Sequence, residues 1–479
     1  LEEAATGALT LRVSRRDVQK QLGRLVSAHG RSGLLPLLLG VLGRDLPESC
    51  DLLYQKIAAR IEGGLVPGCM QLSHFTDQQF DILFLACEEG FGPVSSGERS
   101  IRVTESVRAG SFWGQLTGVT QGLDQAIREV VHGLAGLTEL LGSMPDSLLP
   151  KFEGFVTDIE GIRGRLTSQL EALQLFCESP EQQCCWIERY MHRHYGGVVS
   201  LAAAPLDVAK LLHTTLFAAV PTVILTSATI AVAGKFSYYK ARHGLDLLEE
   251  GRLTELMLAS PFNYASQALV ALVHDMPEPT EKTFSEAVAD TVLRASCISR
   301  GGVFVLFTSY ELMHRIHGMM ATCLQDRGLT VFCQGEGLSR HQLLARFRRD
   351  GTSVLFGTDS FWEGVDVQGD ALRMVIIVRL PFQVPTEPIQ QARAELVQLR
   401  GGNPFKELSI PQAVLKLRQG FGRLIRSGDD RGTVLILDSR IVTKSYGAVF
   451  RKSLPGDSQK RVARADLDAT LKAFYGKGS

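Results

Sequence analysis

The spacing of apolar residues along the chain changes character near residue 186. Before that point helical periodicity dominates. In SRRDVQKQLGRLVSAHG, Val18, Leu22, Leu25 and Val26 recur every three to four residues, and Ser14 is placed to cap the helix they predict. Residues 35–42 and 51–61 read the same way. The longest stripe carries Leu116, Val119, Leu123, Ile127, Val130 and Val131; it runs from Phe112 to Leu141 and resumes from Leu148 to Phe176. The interruption, GSMPDSLLP, holds Pro145 and Pro150 and predicts a helix-hairpin turn. Only residues 65–103 are mixed, with FDILFLAC and SIRVTESV as candidate short strands. A mostly helical bundle is expected, whose amphipathic faces packing alone explains.

Beyond residue 186, short apolar runs alternate with helical segments. TVIL (222–225), GVFVLF (302–307), LTVFC (329–333), SVLFG (353–357), LRMVIIV (372–378) and TVLIL (433–437) are continuous rather than alternating, as in strands covered on both faces. Helices are expected at 286–299, 311–327, 340–349 and 410–425. The pattern predicts an α/β fold with a parallel, doubly covered sheet. Ligands in such sheets sit beyond the carboxyl ends of the strands, so the residues that follow each run carry the interest.

Five segments stand out on that criterion. TSAT (226–229) sets three small hydroxyl residues after TVIL; they could bridge two sites, and a capping turn is the ordinary alternative. TSY (308–310) opens a helix, where hydroxyls and free N–H groups suit a phosphate or a simple N-cap. TDSFWEGVDVQGD (358–370) packs acidic groups at 359, 363, 366 and 370 beside a strand end, which is costly unless they meet cations or donors. RLPFQVPTEPI begins at Arg379 and is held extended by its prolines. QGFGRLIR (419–426) places Arg423 and Arg426 one helical turn apart. A guanidinium fork matches phosphate, although an isolated R-x-x-R is ordinarily a solvated helix face.

Bulk composition adds bounds. The 479 residues, 45% hydrophobic, suffice for roughly two to four domains with packed cores. Fifty-one basic residues balance fifty-one acidic ones, so bulk charge is neutral on a nucleic-acid partner. From Lys416 to Asp466, however, twelve Lys or Arg face five Asp, a local excess of seven. Nine scattered cysteines without a C-x-x-C pair suggest a reducing, cytoplasmic location and no metal ligand set. No run of 18 apolar residues and no signal peptide is present, so no membrane partner is expected. There is also no G-x-x-x-x-G-K-[ST] loop and no strand ending in D-E-x-H or D-E-x-D. This chain by itself is therefore not expected to hydrolyse ATP.

In order and spacing, TSAT, LFTSY, GTDSFWEGVDVQGD, RLPF and QGFGRLIRS resemble the DinG-type helicases of the XPD-like branch of superfamily 2, specifically from about Pro205 to Arg440. The resemblance implies a C-terminal RecA-like motor domain preceded by a helical arch domain and the returning part of a first RecA-like domain. It divides the chain into 1–12 (end of the first motor domain), 13–185 (arch), 186–235 (return of the first motor domain) and 236–479 (second motor domain). Thr226, Ser227 and Thr229 would couple nucleotide state to DNA binding. Thr308, Ser309 and Thr358 would face the DNA strand. Glu363, Gly364, Asp366 and Gly422 would lie on the nucleotide side, and Gln419, Arg423 and Arg426 would reach the triphosphate. Trp362 or Tyr310 is available to stack on bases, burial of Trp362 in the core being the other reading.

The same resemblance implies 5′ to 3′ unwinding of single-stranded or forked DNA in repair or replication, driven by ATP with Mg2+, by what is expected to be a monomer. LEEAA-like sequence follows the DEAH box in this family, so the phosphate loop, the magnesium carboxylate and any iron–sulfur cysteines are expected upstream, in the other half of the same helicase. An inert nucleic-acid-binding or regulatory fragment is the rival from another class, and an RNA-directed motor is a further one.

Overall fold

The computed structural model describes residues 2–27, 29–92, 99–178, 181–192, 196–362, 367, 369–383, 387–422, 424–425, 427–428 and 430–476. The chain forms two compact units, one of residues 1–208 with 385–393, the other of 209–384 with 394–479.

The first unit is helical around a small sheet. Helix Trp113–Gly142 buries Leu116, Val119, Leu123, Ile127, Val130, Leu134, Leu137 and Leu141, one residue every three to four, against helix Leu149–Glu178. The expected hairpin turn lies between them. FDILFLAC is not a strand. It belongs to helix Val66–Phe91, where Phe80, Leu83 and Cys87 are buried while Ile82 and Leu85 face out, so burial follows the helical period and not the apolar run. Of SIRVTESV, only residues 100–102 lie in a strand, and Glu105–Arg108 is a short helix. Strands β1 (Leu11–Ser14), β2 (Arg99–Arg102), β3 (Gln183–His192) and β4 (Gly196–Pro205) make an antiparallel sheet in the order β1-β4-β3-β2. Leu11 to Ser14 thereby pair with Ala203 to Ser200, which brings the two ends of the intervening helical region together. Gly197 gives room to the Phe84 ring, since a Cβ there would lie 2.3 Å from it and the ring would have to move.

Two buried charges organise this unit. Arg189, entirely buried, donates to the carbonyls of Cys87 (2.7 Å) and Gly92 (3.2 Å) at the C-terminal end of helix Val66–Phe91. It adds a charged donor to carbonyls at this helix end and lies favourably against the negative end of the helix dipole. Glu188 accepts from Arg12 at 2.7 Å, Trp186 at 2.8 Å and Ser200 at 3.1 Å, three donors that offset its desolvation.

The second unit is the doubly wound sheet. Its seven parallel strands are β5 (Ala268–Val273), β6 (Val303–Leu306), β7 (Thr330–Cys333), β8 (Ser353–Gly357), β9 (Met374–Ile377), β10 (Gly432–Ile436) and β11 (Gln459–Val462), ordered β11-β5-β10-β9-β6-β8-β7. Successive residues of β6 alternate between two cores. Phe304 and Leu306 join Phe347, Trp362, Leu417 and Phe450 on one face, and Val303 and Val305 join Phe284, Met313, Met320 and Leu471 on the other. Helices on both faces explain why these strands read as continuous apolar runs.

In this unit two strands were not foreseen and one expected strand does not form, and in the first unit β1, β3 and β4 were not foreseen either. ALVALV (268–273) is as apolar as its neighbours and was overlooked, whereas QKRV (459–462) is an edge strand with exposed Lys460 and Arg461 and carries no apolar signal. TVIL (222–225) is irregular, with Ile224 84% exposed. Among the described residues no strand pairs with it, and a strand has no intrinsic stability without a ladder partner.

Candidate functional site

Strands β6 and β9 are neighbours, yet β6 continues into helix Tyr310–Gln325 on one face and towards β7, while β9 leads to helix Ile410–Phe421 on the other face and towards β10. Their carboxyl ends therefore frame a topological switch point, the crevice where open α/β sheets bind ligands. Thr308 and Ser309 follow β6 and are half-buried. Ser309 caps helix Tyr310–Gln325, its hydroxyl accepting from the Leu312 N–H at 3.3 Å. Tyr310 is 53% exposed beside it. Arg379 follows β9, donates to the Pro279 carbonyl at 2.8 Å and lies over the Phe284 ring. Burial, then the neighbouring Arg440, lower its pKa from the ordinary guanidinium value.

Two further residues knit these strand ends together. Gln334, just past β7, accepts from the N–H of Thr358 at 2.8 Å and its hydroxyl at 3.1 Å, and donates to the Tyr310 hydroxyl at 2.6 Å. Asp438, just past β10 and entirely buried, accepts from the Leu380 N–H at 2.8 Å and takes a bidentate pair from Arg440 at 2.8 and 2.7 Å. That hydrogen-bonded pair raises the pKa of Arg440. It also fixes the RLPF turn after β9. Trp362 is buried, its indole N–H donating to the Phe307 carbonyl at 3.2 Å. Gly420 of helix Ile410–Phe421 packs against that indole, where a Cβ would stand 3.0 Å from two ring carbons.

Residues 292–457 match the helicase C-terminal domain family. ATP-dependent DNA helicase YoaA of Haemophilus influenzae is 40% identical over 288 residues, 60% of this chain and 43% of that protein. The 3′-5′ exonuclease DinG of Bacillus subtilis is 36% identical over 301 residues, 62% of this chain and 32% of that protein. A solved XPD helicase structure shares the fold with a TM-score of 0.50 at 15% identity, covering 96% of this chain and 66% of its own. The chain carries a helicase C-terminal domain and is similar to the DinG and YoaA helicases. It spans less than half the length of the two relatives named.

The site residues expected from sequence fall into three groups. Thr308, Ser309 and Thr358 stand at the carboxyl edge of the sheet, with Thr358 only 3% exposed and its hydroxyl turned to Gln334, whereas Gln419 lies in the last turn of helix Ile410–Phe421, on the way to the amino end of β10. Thr226 and Ser227 are exposed and Thr229 is half-buried, the Ser227 hydroxyl accepting from the Thr229 N–H at 3.2 Å. Glu363, Gly364, Asp366, Arg423 and Arg426 lie outside the described residues. The helix expected to reach residue 425 ends at Phe421. Gly422 is exposed at its end, and Leu424 and Ile425 are non-helical and buried. Glycines at 420 and 422 weaken the helix, and burying two apolar residues favours the turn. Trp362 serves the core, whereas Tyr310 is exposed at this edge.

Gln334, Asp438 and Arg440 were missed, although Gln334 and Asp438 directly follow apolar runs, which is the position that marked the others, and Arg440 lies two residues beyond Asp438. The described acidic group at these strand ends, Asp438, is saturated by Arg440 and Leu380 and is not free for Mg2+. Among the described residues the one grouping of metal-ligand type is His314, Cys333 and Glu336. Its contacts close a turn without an ion: Cys333 lies 3.7 Å from His314 Nδ1, and Glu336 is bound by His317 at 3.0 Å. Among the described residues, no helix is long and apolar enough to cross a membrane.

Proposed function

We propose that this chain supplies the second motor domain of an ATP-dependent DNA helicase that moves 5′ to 3′ on single-stranded or forked DNA in repair or replication. The observation that carries this reading is the match of residues 292–457 to the helicase C-terminal domain, within which Thr308 and Thr358 follow two neighbouring strands of one parallel sheet. Residues 236–479 form the motor domain, 13–185 the arch, and 1–12 with 186–235 belong to a first motor domain. Pairing of Leu11–Ser14 with residues 200–203 supports an arch inserted between two neighbouring strands.

ATP would lie between the two motor domains, with Mg2+ and the phosphate loop provided by residues outside this chain. Arg423 and Arg426, with Gln419, act on the triphosphate, and Glu363, Gly364, Asp366 and Gly422 line the nucleotide side. The arginines hold developing negative charge on the transferring phosphoryl group, where a fixed guanidinium needs no reorganisation. Thr308 and Ser309 hold the strand backbone through hydroxyl and N–H donors, which fixes register without reading sequence, and Thr358, its own donors taken by Gln334, supports them from behind. Tyr310 supplies a stacking face. The protein acts as a monomer in the cytoplasm.

The test is unwinding by the full-length protein of forks bearing only a 5′ or only a 3′ single-stranded tail, as DNA and as RNA, with and without ATP. ATP-dependent opening of the 5′-tailed DNA fork is expected. Opening only of the 3′-tailed fork or of RNA, or opening without ATP, refutes the assignment.

A further inference from the structure

Arg418 belongs to none of the groups above, yet it is the residue through which the TSAT segment is attached to its own unit. It sits in the last turn of helix Ile410–Phe421, directly before Gln419. Its Nη1 donates to the Ala231 carbonyl at 2.6 Å and its Nη2 to the Ala228 carbonyl at 2.8 Å. Two nitrogens of one planar group thus hold two carbonyls three residues apart, which fixes the orientation of the segment as well as its distance. The segment has little else. Residues 221–231 form no strand, and the next anchor is the Ala233 N–H donating to the Ser453 hydroxyl at 2.8 Å. Burial lowers the pKa of Arg418, so its cation is partly withdrawn from water, where hydrogen bonds to it are stronger.

We infer that Arg418 is a positioning residue that latches Thr226–Thr229 to the helix leading into Gln419 and the arginine pair, so that a displacement at the nucleotide end of this helix moves the TSAT hydroxyls with it. The inference rests on the helicase reading and assigns coupling to a specific side chain. No proton or phosphoryl group passes through Arg418; its partners are backbone carbonyls. A lysine could reach one carbonyl but not hold both in a fixed plane.

The test compares full-length wild-type protein with Arg418→Ala and Arg418→Lys. Hydrolysis without DNA and affinity for an unlabelled single strand should stay within about twofold, while stimulation of ATP hydrolysis by that strand falls about tenfold in Arg418→Ala, with partial rescue in Arg418→Lys. Hydrogen exchange gives a readout independent of activity. Amides 226–233 should exchange faster in Arg418→Ala while those of β6 and β10 stay protected, which also establishes that the variant is folded. Unchanged exchange at 226–233, or DNA stimulation equal to wild type, overturns the latch. Equal loss of hydrolysis with and without DNA also overturns it. Failure of the helicase reading has a different signature, since wild-type protein then shows no DNA-stimulated hydrolysis at all, and the latch falls with it.

Discussion

Arg423 and Arg426 carry the strongest functional expectation at the scale of single residues. A guanidinium acting on a transferring phosphoryl group contributes about 10³ to 10⁵ in rate, or roughly 4 to 7 kcal/mol. Arg423→Ala and Arg426→Ala in the full-length protein should each abolish measurable ATP hydrolysis and leave single-strand affinity within a small factor; ordinary turnover in both variants would remove them from the site. Buried thiols make a different prediction. Burial pushes Cys69 up to about 12 and Cys87 up to about 11 from a usual 9.0. A raised folded pKa means that the contribution to stability is whole below pH 9 and is lost as pH rises towards 12. At pH 10.5 the loss is about 2 kcal/mol for Cys69. The fall in stability between pH 8 and pH 10.5, read by urea denaturation, should therefore be smaller by that amount in Cys69→Ala. An unchanged pH dependence would contradict the burial of this thiol.

Elements show where a close approach or a cap decides the outcome. At Gly420, alanine would gain about 1 kcal/mol of helix propensity. The added Cβ meets the Trp362 indole at 3.0 Å, and the Trp362–Phe307 hydrogen bond resists its retreat. Overpacking of this kind costs about 1–3 kcal/mol, so Gly420→Ala should be net destabilising in a denaturant titration. Arg189 acts as a cap from a neighbouring strand. Arg189→Met keeps much of the stem and leaves the Cys87 and Gly92 carbonyls without this donor; a loss of about 2–3 kcal/mol is expected from charged hydrogen bonds of this type, read as a lowered urea midpoint. A midpoint equal to wild type would show that water satisfies those carbonyls. The TVIL segment carries the opposite lesson: its composition is that of a buried strand, and composition supplies no partner.

On the scale of the whole molecule, attraction to a nucleic-acid backbone has to come from local charge, since the totals cancel at 51 against 51. Single-strand affinity of the full-length protein should fall linearly with log salt, with a slope of about −0.7 for each phosphate neutralised. A flat salt dependence would argue against backbone binding. The sequence by itself determined the helical first half, the hairpin turn at 142–149 and the run of parallel strands, because those depend on local periodicity and on two-sided burial. It also marked the strand-end hydroxyls through their position after apolar runs. Only the tertiary structure decided that TVIL lacks a ladder, that Trp362 fills the core, and that Gln334, Asp438 and Arg418 bind the strand ends and the TSAT segment together. Those outcomes rest on contacts between residues from 24 to 190 positions apart, such as Gln334 with Thr358 and Arg418 with Ala228, and no local pattern encodes which distant carbonyl or N–H a polar side chain will meet.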